Sequence, residues 1–262
     1  EHGVTMVAPD DQRLHQDIHI APGEDLGARS GQIVIAEITE QPTMQRGPIG
    51  RIDSVLGDRL QPSLVVEMAI AQYGLPHAWP QAVLDEVQAM PVEVRKSDRG
   101  KRVDLRDKPL VTIDGADSRD FDDAVYAEPD KAGGFRLVVA IADVSHYVKP
   151  GSAIDKEAWD RGTSTYFPDF VVPMLPETLS NGLCSLNPHV DRLCTVCDMQ
   201  IDAKGEVQRS KFYAAVMNSH ARLTYTQVWN VIGEKDAGTR AELTEQVPQL
   251  EHLHALYKLM DK

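Results

Sequence analysis

The stretch TIDGADSRDFDDAV (112–125) carries five aspartates within ten residues, between the apolar runs Leu110-Val111-Thr112-Ile113 and Ala124-Val125-Tyr126. Apolar runs of this length read as β-strands, so the acids belong to a strand end that faces water. Two carboxylates about 4 Å apart repel by roughly 4 kcal/mol at an effective dielectric near 20. A convergence of Asp114, Asp120, Asp122 and Asp123 therefore calls for bound cations. Hard carboxylate oxygens suit Mg²⁺ or Mn²⁺, which enzymes commonly hold between carboxylates and substrate phosphates. The pattern points to metal-dependent chemistry on a phosphodiester.

Spacing alone leaves other readings open, because 40 of the 262 residues are acidic and such clusters arise by chance. A calcium-binding EF-hand loop needs glycine at its sixth position and glutamate at its twelfth. Counted from Asp114, those positions hold Arg119 and Val125, and that rival fails. A metal-dependent sugar-nucleotide transferase built on Asp120-Phe121-Asp122 is a second rival, although no Gly-rich phosphate loop accompanies it. A solvated acidic turn is the third, and Asp117 is read in that way.

Three further segments carry a family resemblance. The aspartates at offsets 0, +6, +8 and +9, the run GTSTYFPDFVVPMLPETLSNGLCSL (162–186) and NPHVDRLCTVCDM (187–199) resemble the catalytic domain of the ribonuclease II and ribonuclease R family, on its ribonuclease R side. The resemblance extends to VAPDDQRL…DIHI (7–20) and WPQAV (79–83). It implies a processive 3′→5′ exoribonuclease that releases nucleoside 5′-monophosphates, with Mg²⁺ as cofactor, two ions in the site and Mn²⁺ able to substitute. Asp114, Asp120 and Asp123 would hold the first ion, and Asp122 would be the carboxylate most critical to the chemical step. Asp120 and Asp122 are thus the expected catalytic residues, and all four aspartates the expected metal ligands. Tyr166, 52 residues after Asp114, occupies the position of the family's base-stacking tyrosine. The partner implied is single-stranded RNA, or structured RNA with a 3′ overhang.

Adjacent Asp122 and Asp123 would point apart in an ideal strand, so a bulge or a strand end is expected there. The family completes its site with an arginine, a glutamate and a phenylalanine from a later part of the catalytic domain. The chain opens at Glu1 and its last apolar periodicity, Leu243 to Met260, runs to Lys262 without a stop signal. A piece of a longer polypeptide, inactive on its own, is therefore expected; the alternative function is a catalytically incomplete RNA-binding fragment.

Composition sets the remaining bounds. No apolar stretch approaches the roughly 18 residues of a membrane span, so no membrane partner is expected. Three cysteines suit a reduced, cytoplasmic setting better than a disulfide framework. Cys194 and Cys197 are three apart on a strand-like run and face opposite ways, which argues for buried packing over zinc. The net charge of −13 runs against nucleic-acid binding, offset locally by seven basic residues against three aspartates in 94–108.

The fold class expected is α+β, in three parts. Residues 1–60 read as a small OB-like, cold-shock-type barrel, with strand runs His2–Val7, Asp17–Ile20, Gln32–Ile38 and Ile49–Val55. With no Phe, Tyr or Trp before Tyr73, this barrel lacks stacking aromatics and reads mainly as scaffold. Residues 61–103 form a helical connector with a basic linker, with helices near Ser63–Gln72 and Gln81–Met90 and Trp79 as a packing anchor. Residues 104–262 form the N-terminal part of a truncated catalytic domain. Its expected strands end at Asp114, span Phe121–Ala127 and run from Phe135 to Val148; helices begin after Ser152 and at Thr224. Asp143 and His146, although near the acidic site, are read as structural.

Overall fold

Short alternating runs separated by Pro, Gly and Asp turns fold into strands in the first third of the chain, as their period of two requires. The computed structural model describes residues 4–11, 13–58 and 62–261. Strands β1 (Met6–Val7), β2 (Ile18–Ile20), β3 (Ile33–Glu40) and β4 (Ile49–Gly57) form one sheet in the order β1-β2-β4-β3. The β2–β4 pairing is parallel and the others are antiparallel. Ile18, Ile20 and Ile52 make its small core. Gly50 pairs on both sides, with Ile20 and Ile38, and any side chain there would place a Cβ 2.4 Å from the Glu37 carbonyl oxygen. Only glycine admits that approach. The expected first run from His2 begins outside the described residues.

Helices α1 (Pro62–Tyr73) and α2 (Gln81–Gln88) follow close to their expected places. The chain divides into two compact units, one of Glu1–Ala78 with Tyr166–Val172, the other of Trp79–Thr165 with Pro173–Lys262. This differs from the expected division into 1–60, 61–103 and 104–262, whose first boundary falls outside the described residues. Helix α1 joins the first unit, with Leu64 and Ile70 buried and Leu64 beside Gly57 of β4. Helix α2 joins the second unit, with Val83 in its main core and Trp79 packed against that core. The Arg161 guanidinium lies 3.6 Å over the Trp79 ring, so Trp79 is a packing anchor.

The second unit is built on a seven-stranded sheet. After the short helix α3 (Lys96–Arg99) come β5 (Val103–Asp104), β6 (Val111–Asp114), β7 (Asp123–Pro129) and β8 (Phe135–Ala142). Helices α4 (Val144–Tyr147) and α5 (Ala153–Arg161) lead to the ribbon β9 (Thr165–Phe167) and β10 (Phe170–Val172). A π-helical turn (Thr178–Leu183) precedes β11 (Asp191–Ile201), β12 (Val207–Asn218) and β13 (Ala221–Thr224). Helices α6 (Tyr225–Ile232), α7 (Ala237–Glu242) and α8 (Val247–Met260) close the described chain. The order in the sheet is β13-β6-β7-β8-β11-β12-β5. Both faces are covered, as the two buried sets show. Ala124, Tyr126, Val138, Ala140, Cys194 and Val196 pack with α2, α5 and the π-helical turn, whereas Val111 and Leu223 pack with Val231 of α6 and Leu250 of α8.

Two helix starts follow their local chemistry. The Ser152 hydroxyl accepts from the Asp155 amide, and Thr224 and Gln227 close a capping box at α6. One expectation is corrected: the strand expected over Phe135 to Val148 ends at Ala142. Asp143 is drawn out of the strand by Arg102, whose Nη2 lies 2.5 Å from its carboxylate, and by the Ser145 hydroxyl at 2.7 Å. Cys184 and Cys194 are buried and Cys197 is half-buried, and all three are free. Burial pushes the Cys184 and Cys194 thiols up to about 12, so neither is a thiolate at neutral pH.

Several residues of the basic stretch have carboxylate partners. Arg95 pairs with Asp98, Arg99 with Asp191, Arg102 with Asp143, Arg106 with Asp104 and Asp191, and Lys108 with Glu128. Arg99, Arg102, Arg106 and Lys108 tie the segment to carboxylates elsewhere in this unit, whereas Arg95–Asp98 and Arg106–Asp104 are local pairs. Among the described residues, no helix is long and apolar enough to cross a membrane.

Breaking a buried pair leaves an uncompensated charge, at about 3–5 kcal/mol. Arg102→Ala is expected to destabilise the protein by about 3 kcal/mol, read by urea denaturation. Burial alone would raise the Asp143 carboxyl, but Ser145, Arg102 and the His146 amide more than offset it and hold it below 3.8. A depressed carboxylate gives stability that is complete above its unfolded value and drains as pH falls through the folded one. Acidification below about 3.8 should therefore cost wild type more stability than Asp143→Asn.

Candidate active site

Strands β6 and β7 are antiparallel, with Val111 opposite Val125, and the loop between them carries the acidic residues. Phe121 is the anchor of that loop. Its side chain is 3% exposed in the main core. Its amide donates to the Ser185 hydroxyl at 3.1 Å, and its carbonyl accepts from the Leu186 amide at 2.7 Å. The Asp122 carbonyl accepts from the Ala142 amide at 2.8 Å. With the residue between them turned inward, Asp120 and Asp122 flank a core aromatic. Strand β7 begins at Asp123, so Asp122 and Asp123 stand at a strand end.

Asp114 ends β6, opposite Thr224 in the parallel β13 pairing. Its carboxylate accepts from the Gly115 amide at 2.7 Å and from the Ser118 hydroxyl at 2.9 Å. The same hydroxyl lies 3.4 Å from Asp120 Oδ1. A hydroxyl has one proton to give, so Ser118 serves one carboxylate at a time and stands between the two. Asp117 is exposed at the loop tip.

Electrostatics tie the four acids together. The Asp122 carboxyl is raised above the usual carboxylate range, first by burial and then by the charges of Asp120, Asp123 and Asp114. Asp123 is raised by burial and by Asp114. The neighbouring charges that raise Asp122 are thus carboxylates, the situation in which a divalent cation is favoured. The donor set is all carboxylate oxygen, which fits Mg²⁺ or Mn²⁺. Among the described residues, no three His, Cys, Asp or Glu side chains are drawn close enough together to hold a metal ion. The carboxylates are neighbours whose side chains stay spread, as like charges do.

Two residues of this site escaped the sequence reading. Ser118 stands inside the acidic motif but carries no metal chemistry of its own. Arg222 lies over a hundred residues further on, and its Nη2 donates to the Ala116 and Ser118 carbonyls at 3.2 and 3.0 Å. No signal in the sequence joins it to the loop; the parallel pairing of β13 with β6 does so.

Tyr166 lies in β9 and belongs to the first unit. It is 65% exposed, in contrast to a core tyrosine. Asp143 is committed to Arg102, and His146 is held low by burial and by Arg102, 3.8 Å from Asp98.

Comparison with known proteins assigns the class. The RNB domain family model matches residues 102–262 and the cold shock domain model matches 6–80. The chain belongs to the RNB domain family. It is 53% identical over its whole length to Ribonuclease R of Escherichia coli, of which it covers 32%, and 50% identical to Ribonuclease R of Acidithiobacillus ferrooxidans, of which it covers 60%. The chain thus spans about a third of the first of these relatives. A structure of Mycoplasma genitalium RNase R in complex with double-stranded RNA matches 98% of this chain and 46% of that one, with a TM-score of 0.85 at 28% identity. Yeast Ssd1, described as a pseudonuclease, shares the fold at a TM-score of 0.67 and 17% identity.

Ser185 is fully buried and takes the Phe121 amide. Ser185→Ala orphans that amide and should cost about 1–3 kcal/mol, measured by chemical denaturation.

Proposed function

We propose that this chain supplies the aspartate part of the active site of a Mg²⁺-dependent, processive 3′→5′ exoribonuclease, which hydrolyses RNA to nucleoside 5′-monophosphates. The observation that carries the proposal is the loop of residues 115–122, whose anchored Phe121 presents Asp120 and Asp122 beside Asp114 and Asp123. Likeness to Ribonuclease R over the whole chain supports the substrate, and the RNA in the Mycoplasma complex is that protein's own ligand. Fold alone would not carry it, since a pseudonuclease shares the architecture.

Divalent cations bound here would supply charge stabilisation for the attacking and leaving oxygens and a more acidic water. Asp114, Asp120 and Asp123 would hold one ion, and Asp122 is assigned the decisive carboxylate. The chain's own part is positional. Phe121 keeps the acids turned outward, the Ser118 hydroxyl stands between Asp114 and Asp120 and donates to one of them at a time, and the raised Asp122 and Asp123 carboxyls mark where positive charge is wanted. Tyr166 offers an exposed ring on which a base near the RNA 3′ end stacks, a contact worth about 1–3 kcal/mol. The partner proposed is single-stranded RNA, or structured RNA with a 3′ overhang. Three free cysteines fit a cytoplasmic setting.

The test uses 5′-labelled RNA with a single-stranded 3′ tail, in Mg²⁺ and in EDTA, with the longest natural polypeptide that carries this sequence. A Mg²⁺-dependent ladder shrinking from the 3′ end is expected, and its absence overturns the assignment. Asp122→Asn should abolish cleavage while RNA binding stays near wild type; retained turnover removes Asp122 from its role. Tyr166→Ala should change the length of the final product more than the cleavage rate, as read on a sequencing gel.

A further inference from the structure

We propose that Arg222 is a positioning residue that holds the acidic loop in the shape its carboxylates need. The inference rests on the reading of Asp114 and Asp120 as cation-binding groups. One guanidinium nitrogen donates to two carbonyls of the loop, Ala116 at 3.2 Å and Ser118 at 3.0 Å. Both carbonyls lie between Asp114 and Asp120, and Ser118 is the residue whose hydroxyl stands between those two carboxylates. The guanidinium carbon also lies 4.6 Å from the centre of the Phe121 ring. Arg222 thus touches the loop at its tip and at its buried anchor.

The chemistry suits arginine. A planar, permanently charged fork can hydrogen-bond to carbonyls in its plane and stack its face on an aromatic ring, which a lysine ammonium does less well. Its own strand fixes it in place. Arg222 pairs with Thr112 in the parallel β13–β6 ladder, two residues before the Thr224–Asp114 pair. The strand that ends at Asp114 and the strand that carries Arg222 therefore move as one piece. A loop tethered at both ends only by β6 and Phe121 would leave the Asp114–Asp120 spacing free to widen under like-charge repulsion. The tether at Ala116 and Ser118 removes that freedom. Outer residues of this kind typically change metal affinity or activity by about 10–100-fold when lost.

The test compares wild type, R222A and R222K, with D122N as a control, in the longest natural polypeptide that carries this sequence. Amide exchange at Gly115 and Ser118, followed by NMR, reads the loop without any metal or RNA. R222A should raise exchange there about tenfold and leave the amides of β7 and β8 unchanged, with R222K intermediate. Mn²⁺ affinity, read by electron paramagnetic resonance, should fall about tenfold in R222A, and kcat on RNA should fall with KM near wild type. D122N should lose turnover with loop exchange intact. Unchanged loop exchange in both R222A and R222K overturns the proposal. If wild type neither binds Mn²⁺ nor cleaves RNA, the reading of the aspartates falls, and the exchange data still decide whether Arg222 holds the loop.

Discussion

The burial of Phe121 between Asp120 and Asp122 is the constraint on which the site depends. Its ring is in the main core, its amide is taken by Ser185 and its carbonyl by Leu186. Full burial of such a side chain is worth about 1.5–3 kcal/mol, and the two backbone bonds add to that. With Phe121 turned inward, its neighbours on either side are turned outward. The arrangement places carboxylates next to a rigid apolar layer without burying any of them completely. It also anchors the loop between β6 and β7, which carries three aspartates and is flanked by two more: its middle is fixed to the core.

Charge is handled differently on the two sides of this unit. In 94–108 each of the basic residues Arg95, Arg99, Arg102, Arg106 and Lys108 meets a carboxylate, and all but Arg95 tie the segment to carboxylates elsewhere in this unit. In the acidic loop the neighbouring charges that raise the Asp122 carboxyl are carboxylates, and they act together with burial. Perturbation by like charges at a strand end is a mark of functional sites more than of structural ion pairs. A fold shared with a pseudonuclease cannot make that distinction.

Much of this was legible along the chain. Period-two runs located β3, β4 and β11, Ser152 and Thr224 announced the starts of α5 and α6, and the four aspartates stood out by spacing. The strand expected from Phe135 to Val148 was overrun because its apolar pattern continues past Ala142. What stops it is Arg102, 41 residues earlier in sequence. The partners of the basic stretch were hidden for the same reason, since Asp143, Asp191 and Glu128 are distant in sequence.

By itself, then, the sequence singled out the four aspartates and the helix starts, because carboxylate spacing, turn signals and helix caps are local properties of a few neighbouring residues. The tertiary structure alone decided what surrounds them. Ser185 under the loop, Arg222 across its tip and α1 packed on the first sheet are pairings of distant segments. Such pairings come from register and burial in the assembled sheet, and no short window of sequence contains them.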